Sequence, residues 1–144
     1  MIDYTSDKTD VNTTRKEGSN MKGIKKLANR ILVEGLAGMA HGLFATLIIG
    51  TIIQQIGTLI GGNVGNLIFV VGKVAAALTG AGIGVGVAYK FKESSLVVLS
   101  AATAGMVGAF ASKLLAGAVL VEGSIVLTGP GEPLGAFLAA YVGI

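Results

Sequence analysis

Polar and apolar positions divide this chain sharply. Residues 1–20, MIDYTSDKTDVNTTRKEGSN, are polar and of mixed charge, a composition that predicts a disordered tail. From Met21 to Val33, apolar residues fall at Ile24, Leu27, Ala28, Ile31 and Leu32, the i, i+3, i+4, i+7, i+8 spacing of one helix face. Lys22, Lys25, Lys26, Asn29 and Arg30 cover the opposite face. This pattern predicts an amphipathic helix lying in a membrane interface. It equally suits a basic flank that keeps this end in the cytoplasm. Between Gly35 and Gly72 the chain then runs 38 residues without a formal charge. Roughly 20 apolar residues cross a bilayer core as a helix, so the solvent for this stretch is lipid.

Small residues mark where each predicted span meets its neighbours. The first span, about 35–56, carries Gly38, Gly42, Thr46 and Gly50 at every fourth position, and Gln54 and Gln55 mark its far interface. Gly57, Gly61, Gly62 and Gly65 read as a loose turn. The second span, about 67–88, repeats the spacing with Gly72, Ala76, Gly80, Gly84 and Ala88, and Tyr89–Glu93 forms an aromatic and basic cytoplasmic edge. The third, about 94–121, places Ala101, Gly105, Ala109, Lys113 and Gly117 on one face. Residues 122–133, EGSIVLTGPGEP, hold both prolines and break the helix. A fourth apolar segment runs from Leu134 to Ile144, too short to cross a bilayer. The expected fold is all-α and polytopic, with about three to four spans over a membrane domain at 21–144. The abrupt last segment suggests the N-terminal part of a longer protein.

Charge and composition narrow the chemistry. Only 13% of residues are charged, against about 25% in soluble domains. After residue 33, Lys73, Lys90, Lys92 and Lys113 balance Glu34, Glu93, Glu122 and Glu132, so the net +3 belongs to the first 30 residues. Beside an apolar span that charge suits an anionic inner leaflet. Nucleic acid is not an expected partner, because no aromatic and basic interleaving is present to stack bases. Cysteine is absent, which excludes disulfides, thiolate metal sites and a cysteine nucleophile. With one His and scattered Glu, no metal site and no cofactor are expected.

Few residues are left to carry a function. Gly80-Ala81-Gly82-Ile83-Gly84-Val85-Gly86 lacks the glycine spacing, preceding strand and following Lys of a nucleotide loop, and reads as helix-packing glycine. His41, on the flank of the first small ridge, reads as a hydrogen-bonded packing residue rather than a proton relay. Lys73 and Lys113 lie at the outer ends of charge-free runs. Each either snorkels to water or faces a substrate or carboxylate, and Lys113 shares the small-residue face. Thr128-Gly129-Pro130-Gly131-Glu132-Pro133-Leu134-Gly135 is the sharpest local signal. Broken backbone at membrane depth survives only when packed in protein or lining a wet cavity, where a carboxylate can accept hydroxyls of a polyol. Outside the membrane, the same segment is a surface loop with a solvated Glu132.

GLAGMAHGLFATLIIGTIIQQIG at 35–57 together with TGPGEPLGAFLAAYVGI at 128–144 resembles the membrane (IIC) component of bacterial sugar phosphotransferase systems. That family also contains toxin regulators of the perfringolysin-regulator type. The resemblance covers about residues 21–144. It implies a protein of about ten spans that binds sugar in a membrane cavity. Gly131-Glu132-Pro133 is similar to the core of the Gly-Ile-Thr-Glu-Pro sugar-contact motif, though the flanking residues differ. It implies substrate binding by Glu132 with Gly131 and Pro133, and Lys113 joins them as a neutralising cation. No residue of this chain is expected to be catalytic. The phosphoryl donor of such systems sits on a separate IIB protein, so any enzymatic role is that of the membrane component alone.

Three functions follow as expectations. The first is a sugar-translocating IIC-like component in the bacterial plasma membrane, N-terminus cytoplasmic. Its expected partners are the lipid bilayer, a sugar or polyol, separate IIB and IIA proteins, and further copies of itself. The second is a membrane-bound regulator that senses a ligand without transporting it. The third is a small structural membrane protein that oligomerises through its glycine faces.

Overall fold

A computed structural model describes residues 6–144, with side chains from Arg15 onward. The described residues are mostly helical: α1 (Ser6–Leu43), a π-helical turn (Phe44–Ile48), α2 (Ile49–Ile60), α3 (Gly62–Ala77), α4 (Thr79–Lys90), α5 (Ser95–Ala109), α6 (Ala111–Leu115) and α7 (Pro133–Gly143). A two-residue hairpin, β1 (Leu120–Val121) with β2 (Ser124–Ile125), lies between α6 and α7. Two units are distinguished, one ending at Val33 and one running from Glu34 to Ile144.

In the first unit, helix covers residues 6–20, where the polar composition predicted a disordered tail; residues 1–5 lie outside the described residues. No proline interrupts α1, and an existing helix adds residues without a new nucleation cost. Ile24, Leu27 and Leu32 of the amphipathic face are exposed.

The second unit is a succession of antiparallel helix pairs held at backbone contact. A Cβ added at Gly42 would run into the backbone of Gly82, and one at Gly38 into Gly86 and Val87. Gly50 meets Ala76 and Gly72, and Gly57 meets Phe69 and Gly65, so α2 packs on α3. Gly84 abuts Ala101, and Gly80 abuts Ala109 and Gly105, so α4 packs on α5. Gly108 and Gly135 join α5 to α7. Gly57 and Gly65, expected in a loose turn, are therefore packing residues. The turn itself is Gly61 and Gly62, both at positive φ (65° and 64°). Gly80 and Gly84 face α5 while Gly82 and Gly86 face α1, so the glycine-rich run is the middle of a helix with two tight neighbours.

Two predicted spans are broken. The second bends by 44° at Leu78, between α3 and α4. No proline causes the bend. The Thr79 hydroxyl, fully buried, donates to Ala76 O at 2.6 Å and satisfies a carbonyl that the break releases. The third span stops at Phe110, where the Glu132 amide donates to Ala109 O at 2.7 Å. In a continuous helix that carbonyl would take the amide four residues on. Lys113 and Gly117 accordingly leave the face of Ala101, Gly105 and Ala109. Among the described residues, the run Arg15–Ile60 is long and apolar enough to cross a membrane, and the bent pair α3 and α4 forms a second candidate. α5 and α7 are apolar but shorter.

The core of this unit is Ile83, Val87, Ala109, Phe110, Ala136, Phe137 and Ala140. Tyr141 packs edge-on against Phe137 (ring centres 5.2 Å apart) and Phe91 (5.9 Å). Pro133 opens α7 at its first turn, where a missing N–H leaves no helix bond unmade.

A branched side chain at Gly84 must push α4 and α5 apart. Gly84→Val is expected to destabilise the chain by about 2 kcal/mol or more. Gly23→Ala has open space around it and should instead gain about 0.5–1 kcal/mol. Thermal unfolding of the purified protein in detergent measures both.

Candidate functional site

The broken segment before α7 is latched onto the end of α5 and onto α6. The Glu132 amide holds Ala109 O. One residue earlier, Gly131 sits at φ 74°, and a Cβ there would lie 2.6 Å from Ala109 O. Only glycine combines that backbone conformation with so close an approach. Ser112 Oγ donates to Glu132 Oε1 at 2.6 Å, and Lys113 Nζ donates to Thr128 O at 2.6 Å. Lys113 also stands over the Phe110 ring, 5.5 Å from its centre. Glu132 caps α7 without a side-chain bond to that helix, so its carboxylate is directed at α6 instead. Its position before the first turn of α7 places negative charge where the helix dipole favours it.

The structure thus sets Gly131, Glu132 and Pro133 against α5 and α6, while the Lys113 ammonium bonds Thr128 of the same loop rather than the Glu132 carboxylate. It also adds Ser112, which sequence reading missed. A serine in an apolar helix carries no spacing signal, and its partner lies 20 residues away.

A cavity of about 600 Å³ lies beside this cluster. Leu47, Thr51 and Gln54 form one wall, Val70, Lys73 and Val74 another, and Thr128–Pro130 close it. Glu132 is not among its lining residues, whereas Lys73 supplies the cavity's one charged side chain. The Lys73 ammonium lies 5.2 Å from the centre of the Phe69 ring. Thr51 and Gln54 donate to Leu47 O and Gly50 O of their own helix, which leaves the Gln54 side-chain carbonyl as an acceptor. The loop therefore joins two features: its Thr128–Pro130 half borders the cavity, and its Gly131–Pro133 half carries the carboxylate.

A family model described as Phosphotransferase system, EIIC, matches residues 33–144. The chain belongs to this family. No curated protein and no solved structure matches it. As an EIIC chain it is a membrane-embedded component of a sugar phosphotransferase system. The match begins at Val33 and takes in every helix of the second unit, the latched loop included.

His41 of the EIIC chain is exposed, with Nδ1 2.5 Å from Ala37 O one turn back in its own helix. Among the described residues no group of three or more His, Cys, Asp or Glu side chains could hold a metal ion.

Gly129 and Gly131 offer a matched pair for testing the latch. Both have positive φ, but only Gly131 is crowded. Gly129→Ala should cost about 1–2 kcal/mol of backbone strain. Gly131→Ala should cost more, because Ala109 must also move. Hydrogen exchange at the Glu132 amide should accelerate strongly in Gly131→Ala and little in Gly129→Ala.

Proposed function

We propose that this chain is the sugar-translocating IIC component of a phosphoenolpyruvate-dependent system, with Glu132 as the acceptor for substrate hydroxyls. The observation that carries the reading is the latched carboxylate of an EIIC family member, held on broken backbone beside a cavity. An ionised carboxylate offers about four lone-pair sites, and Ser112 takes one of them. Gly131 and Pro133 set the backbone on either side. Lys113 keeps two N–H donors beyond the one given to Thr128, enough to meet a carboxylate or a phosphorylated sugar. Lys73 offers a second positive charge from the cavity wall.

The membrane domain spans 21–144 and crosses the bilayer three to four times, with α3 and α4 as one bent crossing and α5 and α7 as shorter ones. Broken helices are tolerated at membrane depth where protein packs around them or a cavity meets them. The basic residues of 22–30 and those at Lys90 and Lys92 support a cytoplasmic start of the first crossing and a cytoplasmic end of the second in a bacterial cell. The phosphoryl group comes from a separate IIB protein, itself charged by IIA, and copies of the chain associate in the membrane.

Glu132→Gln keeps the shape of the side chain and removes its charge. Binding is measured by calorimetry on purified protein against glucose, mannose, N-acetylglucosamine, galactitol and mannitol. The substitution should abolish binding of whichever sugar the wild type takes up, with unchanged expression. Equal affinity in both proteins removes Glu132 from the site.

A further inference from the structure

Three bonds tie the loop to α5 and α6, and they have different chemical roles. The bonds at Ala109 O and Thr128 O fix backbone: the first places the Glu132 amide, and the second holds the strand of loop leading up to it. The bond from Ser112 is the one of the three that reaches the carboxylate itself. Without it, Glu132 keeps a fixed Cα but a side chain free to rotate through several staggered positions. With it, one acceptor site of Oε1 is taken, and Oε2 keeps both of its own.

We infer that Ser112 is a positioning residue that holds Oε1 of Glu132 so that Oε2 is presented to the substrate. This rests on the reading of Glu132 as the hydroxyl acceptor, and it narrows what that site can hold. A carboxylate with one oxygen engaged favours a single hydroxyl, or two adjacent hydroxyls converging on one oxygen. It disfavours a pair that straddles both oxygens. The Ser112–Glu132 bond is charge-assisted and 2.6 Å long, and although both side chains are exposed it favours one rotamer of Glu132 over the others. Lys113 acts on the same loop through Thr128. It steadies the segment that borders the cavity, while Ser112 aims the functional group.

Valine and threonine at position 112 separate the hydroxyl from its shape, since they are nearly isosteric. Infrared spectroscopy provides a readout that needs no sugar. The difference between wild type and Glu132→Gln isolates the Glu132 carboxylate stretch. Ser112→Val should shift that band and Ser112→Thr should leave it in place. A band unmoved by Ser112→Val overturns the inference whether or not any sugar binds. In calorimetry with the same five sugars, Ser112→Val should weaken binding about tenfold, and Ser112→Thr should bind like wild type. Equal affinity of the Val and Thr variants also overturns it. If the band shifts but Glu132→Gln binds sugar normally, the contact stands while both the acceptor reading and the presentation of Oε2 to substrate fall. Unchanged circular dichroism in both Ser112 variants shows that folding is not the cause.

Discussion

Close approach of helix backbones at glycine is the constraint on which the rest of this structure depends. In lipid no hydrophobic force drives one helix against another, because the surroundings are as apolar as the side chains. Association must come from dispersion contact, and that falls away steeply with distance. At Gly42 against Gly82, Gly84 against Ala101, and Gly57 against Gly65, the backbones themselves touch. Each contact sets the spacing of two helices with no side chain between them. Bulkier residues such as Ile83, Val87 and Phe110 then fill the remaining volume from the flanks.

That spacing has a geometrical consequence. An α-helix turns about 100° per residue, so a small residue at every fourth position oversteps a full turn by about 40° each time. Over Gly38, Gly42, Thr46 and Gly50 the overstep would carry the ridge around the helix. The π-helical turn at Phe44–Ile48 falls within this series, and its wider i→i+5 bonding takes up part of the excess. Before it, the glycines face α4; after it, they face α3. The ridge is thus handed from one partner to the next close to the level where α3 and α4 part at Leu78. The cavity opens beside this joint, with Leu47 from the π turn and Leu78 from the bend both in its wall.

A second joint, at Phe110, positions the carboxylate. A continuous helix through residues 94–121 would have kept Ala109 O for itself and carried Lys113 onward along the packing face. The break instead leaves that carbonyl open to the Glu132 amide, and α6 turns Ser112 and Lys113 toward the loop. Membrane burial makes such an exchange possible only when every released backbone group finds a new partner. Here the partner is the loop before α7, so the same hydrogen bond ends one helix and places the residue before the next.

The sequence by itself determined the class, most of the helices and many of the residues at which they touch. Its charge-free runs required helices, its every-fourth small residues named most of the contact faces, and Pro133 marked the start of α7. These are local signals, legible because propensity, spacing and charge act over a few neighbouring positions. Only the tertiary structure decided which partner each glycine meets, where α3 gives way to α4, where α5 stops, and that Ser112 holds Glu132. None of the two breaks carries a proline or a long polar run to announce it. At Leu78 the released Ala76 carbonyl is met locally, by the Thr79 hydroxyl three residues on, whereas at Phe110 the Ala109 carbonyl is met by an amide far along the chain. The bonds that Glu132 makes to Ala109 and Ser112 exist only once the helices have packed, so no short window of the sequence contains them.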